Sequence, residues 1–161
     1  MESERYLVRQ CSEKDLDALA SLYVEIYRET NPIERWTVES AKNFVTYFFH
    51  ESRGLFYIVT FNDIIVGGIW CQVKPWWSGN KIYNLEAFVK KEARGQGLSK
   101  ILLRKLLEEA LSRCNAVTVE AITFNDRAFP LSYYDRISLK KDNQLVLLEG
   151  KVREILKNLE T

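Results

Sequence analysis

Three cysteines, one histidine and one methionine are all that the 161 residues offer in redox-active or soft metal-binding side chains. Cys11, Cys71 and Cys114 are odd in number and far apart. That spacing excludes the paired clusters of a zinc site or a disulfide scaffold, so reduced thiols in a cytosolic protein are expected, with no metal centre. His50, alone at the end of an aromatic-rich segment, reads as a helix-terminal surface residue rather than a catalytic one. The three prolines and seven glycines form no linker or low-complexity tract. A run of eighteen apolar residues is also missing, which excludes a membrane-spanning helix of ordinary length. The opening Met1-Glu2-Ser3-Glu4-Arg5 is too acidic for a secretory signal. A soluble cytoplasmic protein without a membrane partner is expected. Neither charge sign dominates, with 23 Lys and Arg against 22 Asp and Glu, which argues against a nucleic-acid partner because duplex binders gather excess basic residues on one face. With 47% apolar residues, the chain reads as a single domain over residues 1–161 with its own core.

What the sequence does contain centres on residues 83–115. Tyr83-Asn84-Leu85-Glu86-Ala87-Phe88-Val89 reads as a strand, and a charged turn follows. Arg94-Gly95-Gln96-Gly97-Leu98-Ser99 then opens a helix in which Leu98, Ile101, Leu102, Leu106 and Ala110, with Leu103, Leu107 and Leu111, recur at three- and four-residue spacing. Arg104 with Glu108, and Lys105 with Glu109, stand at the spacing of helix-surface neighbours. Gly95 and Gly97 allow a sharp turn and close approach of a ligand, while the first amides of the helix lack internal partners. Uncommitted amides at the positive end of the helix dipole attract an anion such as phosphate, and Arg94 adds a forked cationic donor.

Around that stretch, residues 6–10 read as a first strand, and Ser12 caps a helix carrying Leu16, Leu19, Ala20, Leu22, Tyr23, Ile26 and Tyr27. Thr37 caps a second helix through Ala41, Phe44, Val45, Phe48 and Phe49. Residues 55–61 and 64–73 form a hairpin across Asn62-Asp63, and Gly67-Gly68 marks a bulge or a close backbone approach. Trp76 and Trp77 lie in the next loop, as a wall for an amine substrate or a dimer contact. After the long helix, residues 116–122 alternate as a strand parallel to its predecessor, reached by a right-handed crossover. Pro130 opens a short helix over residues 131–136, residues 144–148 read as a last strand, and Val152, Ile155, Leu156 and Leu159 mark a terminal helix.

This order of elements, with Arg94-Gly95-Gln96-Gly97-Leu98-Ser99 at the turn, resembles the GNAT N-acetyltransferase superfamily over nearly the whole chain. The family pattern is Gln or Arg, two residues, Gly, one residue, then Gly or Ala; Arg94 and Gly97 match, and Ser99 departs conservatively. The resemblance implies an α/β (α+β) fold: a mixed, mostly antiparallel sheet flanked by helices, its central strand pair splayed between residues 83–89 and 117–122. It also implies acetyl-coenzyme A as acyl donor. The pyrophosphate would rest on amides of Gly95, Gln96, Gly97, Leu98, Ser99 and Lys100 beside Arg94. The pantetheine arm would pair with the backbone of Ala87, Phe88 and Val89, and Asn125 would touch that arm. A glycine turn that closes a tight strand-to-helix connection without any ligand is the plainer alternative.

Transfer to an amine needs a neutral amine, a polarised carbonyl and a proton for the leaving thiolate. A lysine-like amine has a pKa of ~10.4, so it must first lose a proton. Glu86 is the first candidate base, directly or through a water, and Glu120 the second; a glutamate merely pairing with a lysine is the alternative. A backbone amide near Phe88 or Val89 would polarise the carbonyl. The resemblance points to Tyr134, or Tyr133 beside it, as the proton donor, unless both are packing aromatics. The expected activity is direct N-acetylation of a primary amine of a small molecule or protein. The strand bearing Leu85 and Glu86, the asparagine and the tyrosine together resemble polyamine and diamine acetyltransferases. A homodimer is compatible with the tryptophan loop, and a non-catalytic acyl-coenzyme A-binding module is the rival reading.

Overall fold

A computed structural model gives the structure and describes residues 6–159, so the acidic opening residues 1–5 lie outside it. The described residues separate into two compact units, one running to Ile122 and the other beginning at Thr123.

The first unit contains strands β1 (Tyr6–Gln10), β2 (Phe56–Phe61), β3 (Ile64–Lys74), β4 (Asn80–Val89) and β5 (Ala116–Val119), arranged in that order as one sheet. The first three pairings are antiparallel and the β4–β5 pairing is parallel, as a helical crossover requires. Helices α1 (Leu16–Thr30) and α2 (Val38–Glu51) cover one face, where Leu19, Tyr23 and Val45 meet Phe56, Trp70 and Phe88. Helix α3 (Leu98–Cys114) covers the other, where Leu98, Leu102, Leu106 and Ala110 meet Val59, Ile69 and Cys71. That buried row steps by four residues, narrower than the sequence pattern suggests; Ile101 and Leu111 remain 50% and 59% exposed.

Two local features set the sheet's shape. The hairpin between Phe61 and Ile64 closes without glycine because Asn62 and Asp63 both take left-handed conformations, with φ 46° and 64°. At Gly67 and Gly68 the close approach occurs, since β4 crowds both glycines, while the bulge lies one residue earlier, where Val66 is extra as the β2–β3 register shifts after Val59. A Cβ on Gly67 would stand 2.8 Å from the Phe88 carbonyl oxygen, a backbone atom that cannot swing aside. Gly67→Ala is therefore expected to lower stability by roughly 1–3 kcal/mol, read as a fall of several degrees in thermal unfolding by circular dichroism.

The second unit contains α4 (Ala128–Arg136) and α5 (Val152–Leu159). Phe129 is extended rather than helical (φ −100°, ψ 132°), because Pro130 disfavours the helical region for the residue before it, so the regular turns begin at Pro130 as anticipated. The strand expected over residues 144–148 does not form. Leu145, Val146, Leu147 and Leu148 are exposed and find no ladder partner among the described residues. Residues 116–122 also fall short as a strand, since β5 stops at Val119, although the Glu120 amide still donates to the Ile82 carbonyl at 2.9 Å.

Candidate active site

β4 carries Glu86, the first candidate base, and a bulge decides which way its side chains point. Tyr83 stands opposite Gln72 and Glu86 opposite Trp70, so one residue is extra on β4, where Asn84 sits at φ 48°. The Asn84 amide donates to Gln72 Oε1 at 2.7 Å and holds the distortion. Tyr83 and Glu86 are three apart and would face opposite sides of a regular strand; the bulge turns both toward α1 and α2. There the Tyr27 hydroxyl donates to Glu86 Oε1. Tyr27 itself stacks on Tyr23 with ring centres 4.2 Å apart. Burial pushes the Glu86 carboxyl up to about 7, and no ion pair among the described residues offsets it.

Glu120, the second candidate carboxylate, has the opposite surroundings. Lys74 Nζ lies 2.8 Å from its Oε1 and Lys81 Nζ 3.3 Å from its Oε2. The Lys74 hydrogen bond, with help from Lys81, holds this carboxyl below its ordinary value, so it stays ionised and committed to its lysines. The same two ammonium groups lie over the Trp76 ring at 5.1 and 4.3 Å from its centre, so the chain's own cations occupy that aromatic face. Trp77 is 89% exposed and belongs to no core.

Beyond Ile82 the β4–β5 pair opens. β5 pairs only with Asn80, Lys81 and Ile82, whereas β4 continues to Val89. The Lys90 amide bonds the Val66 carbonyl of β3 at 2.7 Å, so by alternation the N–H and C=O of Val89 and Ala87 face away from β3, toward the open edge. The backbone of Phe88 points to β3 and its ring is buried beside Tyr23 and Trp70. Of the two amides considered for polarising a carbonyl, that of Val89 faces the gap.

Five residues past Val89 the anion turn begins. Gly95 and Gly97 have φ 80° and 73°, and a Cβ built on either meets nothing within 4 Å. The first bond into α3 runs from the Ile101 amide to the Gly97 carbonyl at 3.1 Å, leaving the amides of Leu98, Ser99 and Lys100 without helical partners. Arg94 does more than line the rim: its Nε donates to the Val89 carbonyl at 3.0 Å and ties the turn to the end of β4. Open space in front of two left-handed glycines, three uncommitted amides and no acidic residue in the helix's first turn fit the pyrophosphate of a coenzyme A.

In the second unit, Tyr133 and Tyr134 lie half-buried on α4 with ring centres 5.6 Å apart. The Tyr133 hydroxyl is buried and finds no hydrogen-bond partner among the described residues. Asn125 Oδ1 accepts from Lys141 Nζ at 2.6 Å. His50 is exposed at the end of α2. Among the described residues no group of three or more His, Cys, Asp or Glu could hold a metal, and no helix is long and apolar enough to cross a membrane.

Two features escaped the sequence reading. The sequence places Tyr27 only on a helix face, yet its position four residues after Tyr23 puts a second hydroxyl over β4. The Asn84 bulge had one signal, an asparagine breaking an otherwise apolar strand, since asparagine tolerates the left-handed region.

Comparison with known proteins agrees with this architecture. A possible acetyltransferase from Clostridium difficile 630 superposes with a TM-score of 0.76 at 17% identity, over 91% of this chain and 97% of that one. An aminoglycoside N-acetyltransferase solved in complex with CoA gives 0.74 at 10% identity, over 93% and 97%. At such identities the likeness carries the fold alone. A curated relative, the thialysine N-epsilon-acetyltransferase of Bos taurus, is 36% identical over 56 residues, which are 34% of this chain and 33% of that protein, so the match spans about a third of the relative's length. The sequence model of the acetyltransferase (GNAT) family matches residues 16–136, most of the chain, and the chain therefore belongs to that family.

Proposed function

We propose that the protein is an acetyl-coenzyme A-dependent N-acetyltransferase that passes acetyl directly to a primary amine of a small molecule or protein, both substrates being bound together. The observation that carries this reading is one continuous stretch: a half-buried, desolvated carboxylate on β4, then an open β4 edge, then a glycine turn with uncommitted amides. Membership of the family and the relative named for thialysine support an amine acceptor. The family match crosses the boundary at Ile122, which supports treating residues 1–161 as one functional domain. Free Cys11, Cys71 and Cys114 support a cytoplasmic location, and exposed Trp77 is the residue to watch in a homodimer.

When bound, acetyl-coenzyme A supplies the acetyl thioester. The amides from Gly95 to Lys100, with Arg94, hold its pyrophosphate, the edge of β4 at Ala87 and Val89 aligns its arm, and Asn125 is a further contact. The Val89 amide donates to the carbonyl where negative charge develops. Glu86, with a carboxyl near 7, is half ionised at neutral pH and so suited to take a proton from an ammonium arriving at the site. Tyr134, or Tyr133 with its unpartnered hydroxyl, donates the proton that the departing thiolate needs.

Incubation with labelled acetyl-coenzyme A and an amine library tests the reading. Label transfer supports it, while coenzyme binding without transfer to any amine means a binding module instead. Tyr134→Phe is expected to lower kcat about 10²-fold with coenzyme affinity kept. If Tyr133→Phe produces that loss instead, the proton role passes to Tyr133.

A further inference from the structure

A tyrosine hydroxyl grips the Glu86 carboxylate, and the core aims that hydroxyl. Tyr27 lies in the last turn of α1, four residues after Tyr23, and donates to Glu86 Oε1. Side chains four apart on a helix stand one above the other, so the Tyr27 ring stacks on that of Tyr23 with centres 4.2 Å apart. Tyr23 is 2% exposed and is held in turn by Trp36 and Phe88, which meet it edge-on at 5.3 and 5.4 Å, and by Phe44 at 5.4 Å. A ring stacked on so fixed a neighbour keeps its direction. Two separate features therefore converge on one contact: the Asn84 bulge turns Glu86 toward α1, and helix spacing brings Tyr27 over it.

The other groups around Glu86 do not duplicate this contact. Trp70 of β3 stands opposite Glu86 and Gln72 lies next along that face; neither titrates, and Gln72 already accepts from the Asn84 amide at 2.7 Å. α2 brings Phe44 and Phe48 to the cluster behind Tyr23, and its Lys42 pairs with Asp17 at 2.6 Å. On α1, the Tyr23 hydroxyl stays protonated, because burial first, then the Glu86 and Glu34 charges, push it up. β4 itself carries Tyr83, whose ring lies under Lys74 Nζ, and the chain leaves β4 at Lys90, which pairs with Glu25 of α1 at 3.2 Å. Burial is what raises the Glu86 carboxyl, to about 7. A donor on Oε1 works against that rise.

We propose, on the basis of the acetyltransferase reading above, that Tyr27 is the positioning residue of the base: its hydroxyl fixes Oε1 of Glu86, leaves Oε2 to receive the acceptor's proton, and favours the ionised carboxylate over the neutral acid. A hydrogen bond into a carboxylate is strongest when the carboxylate is charged, so it opposes the desolvation that the site imposes. The acceptor ammonium loses one proton to Oε2, Glu86 becomes the neutral acid, and Tyr27 keeps its own proton throughout. Tyr27 acts through Glu86 and touches neither the acetyl group nor the amine. Without the hydroxyl, burial acts unopposed and the base is ionised only at higher pH.

Tyr27→Phe removes the hydroxyl and keeps the ring on Tyr23, so the stack survives. Two curves are measured for wild type and variant: kcat/KM against pH with an amine that the library shows to be acetylated, and a carbon-13 NMR titration of the glutamate carboxyls. The Glu86 signal is the one missing from Glu86→Gln. Both midpoints are expected to rise from about 7 to about 8, the scale of a hydrogen bond to a charged group. The variant's kcat/KM is then about fivefold lower at pH 7 and within about twofold of wild type at pH 9, as the ionised fractions require. A ring that only packed would lower the rate by one factor at every pH. An unmoved carboxyl midpoint overturns the proposal whether or not any amine is acetylated, and leaves the acetyltransferase reading to the transfer assay. A moved carboxyl midpoint with an unmoved rate limb overturns it too, since the group that Tyr27 holds would not be the base. Absence of transfer to every amine by the wild type overturns both.

Discussion

Glu86→Gln is expected to lower kcat/KM about 10²- to 10³-fold near neutral pH and to remove the rising limb of its pH profile. The wild-type limb follows from the carboxyl at about 7: the base works only when ionised, so the rate falls as pH drops below that value and levels off above it. Glutamine keeps the size and the ability to accept from the Tyr27 hydroxyl but cannot take a proton. The stability effect has the opposite sign. A carboxyl raised in the folded state binds its proton more tightly there than in the unfolded chain. Wild-type stability therefore declines as pH rises from the ordinary glutamate range near 4.3 to about 7 and stays lowered above it. The displacement corresponds to roughly 3.5 kcal/mol as an upper figure, most of which the neutral glutamine avoids. At pH 8 the variant should be the slower enzyme and the more heat-resistant protein, and at pH 4.5 the two should unfold together. A kcat/KM profile that keeps its limb would remove Glu86 as the base, whereas equal stability at pH 8 would show that the carboxylate is solvated.

Why Glu86 has this environment shows what sequence could and could not supply. Local signals were enough for the helices: the four-residue steps of Leu98, Leu102 and Leu106, and the Thr37 cap whose Oγ1 accepts from the Ser40 amide at 3.1 Å. They were enough for the glycine turn as well, because left-handed conformations at Gly95 and Gly97 are a property of those residues alone. They failed where pairing across the fold decides. Leu145 to Leu148 have strand-forming side chains, but a strand exists only where another supplies its ladder. The Asn84 bulge shifts the face of Glu86 by one residue, and only the partner strand reveals that. Arg94 looked like a ligand for phosphate in sequence; the structure also gives it a backbone carbonyl to hold.

The turn itself is best tested by filling it. Gly97→Trp is expected to abolish the protection that coenzyme A gives against heating while leaving the uncomplexed protein folded. Nothing stands within 4 Å of a Cβ at this position, so the indole has room, and that room is where the pyrophosphate would meet the amides of Leu98, Ser99 and Lys100. A ligand at a hundredfold excess over its Kd stabilises the folded state by about 2.7 kcal/mol, and blocking its anion site removes essentially all of this. One complication is strain, because any side chain at φ 73° costs on the order of 1–2 kcal/mol whatever its size. Gly97→Ala carries the same backbone cost with far less bulk, so it separates the two effects. Both variants should show a similar small drop in Tm without ligand, and only the tryptophan should lose the upward shift with coenzyme A. If the alanine loses it equally, the turn's conformation matters rather than its open space; if the tryptophan keeps it, the anion lies elsewhere and the assignment of residues 94–100 falls. The outcome bears on Glu86 too, since a base placed on β4, eight residues before Arg94, serves acetyl transfer only if the coenzyme is held at this turn.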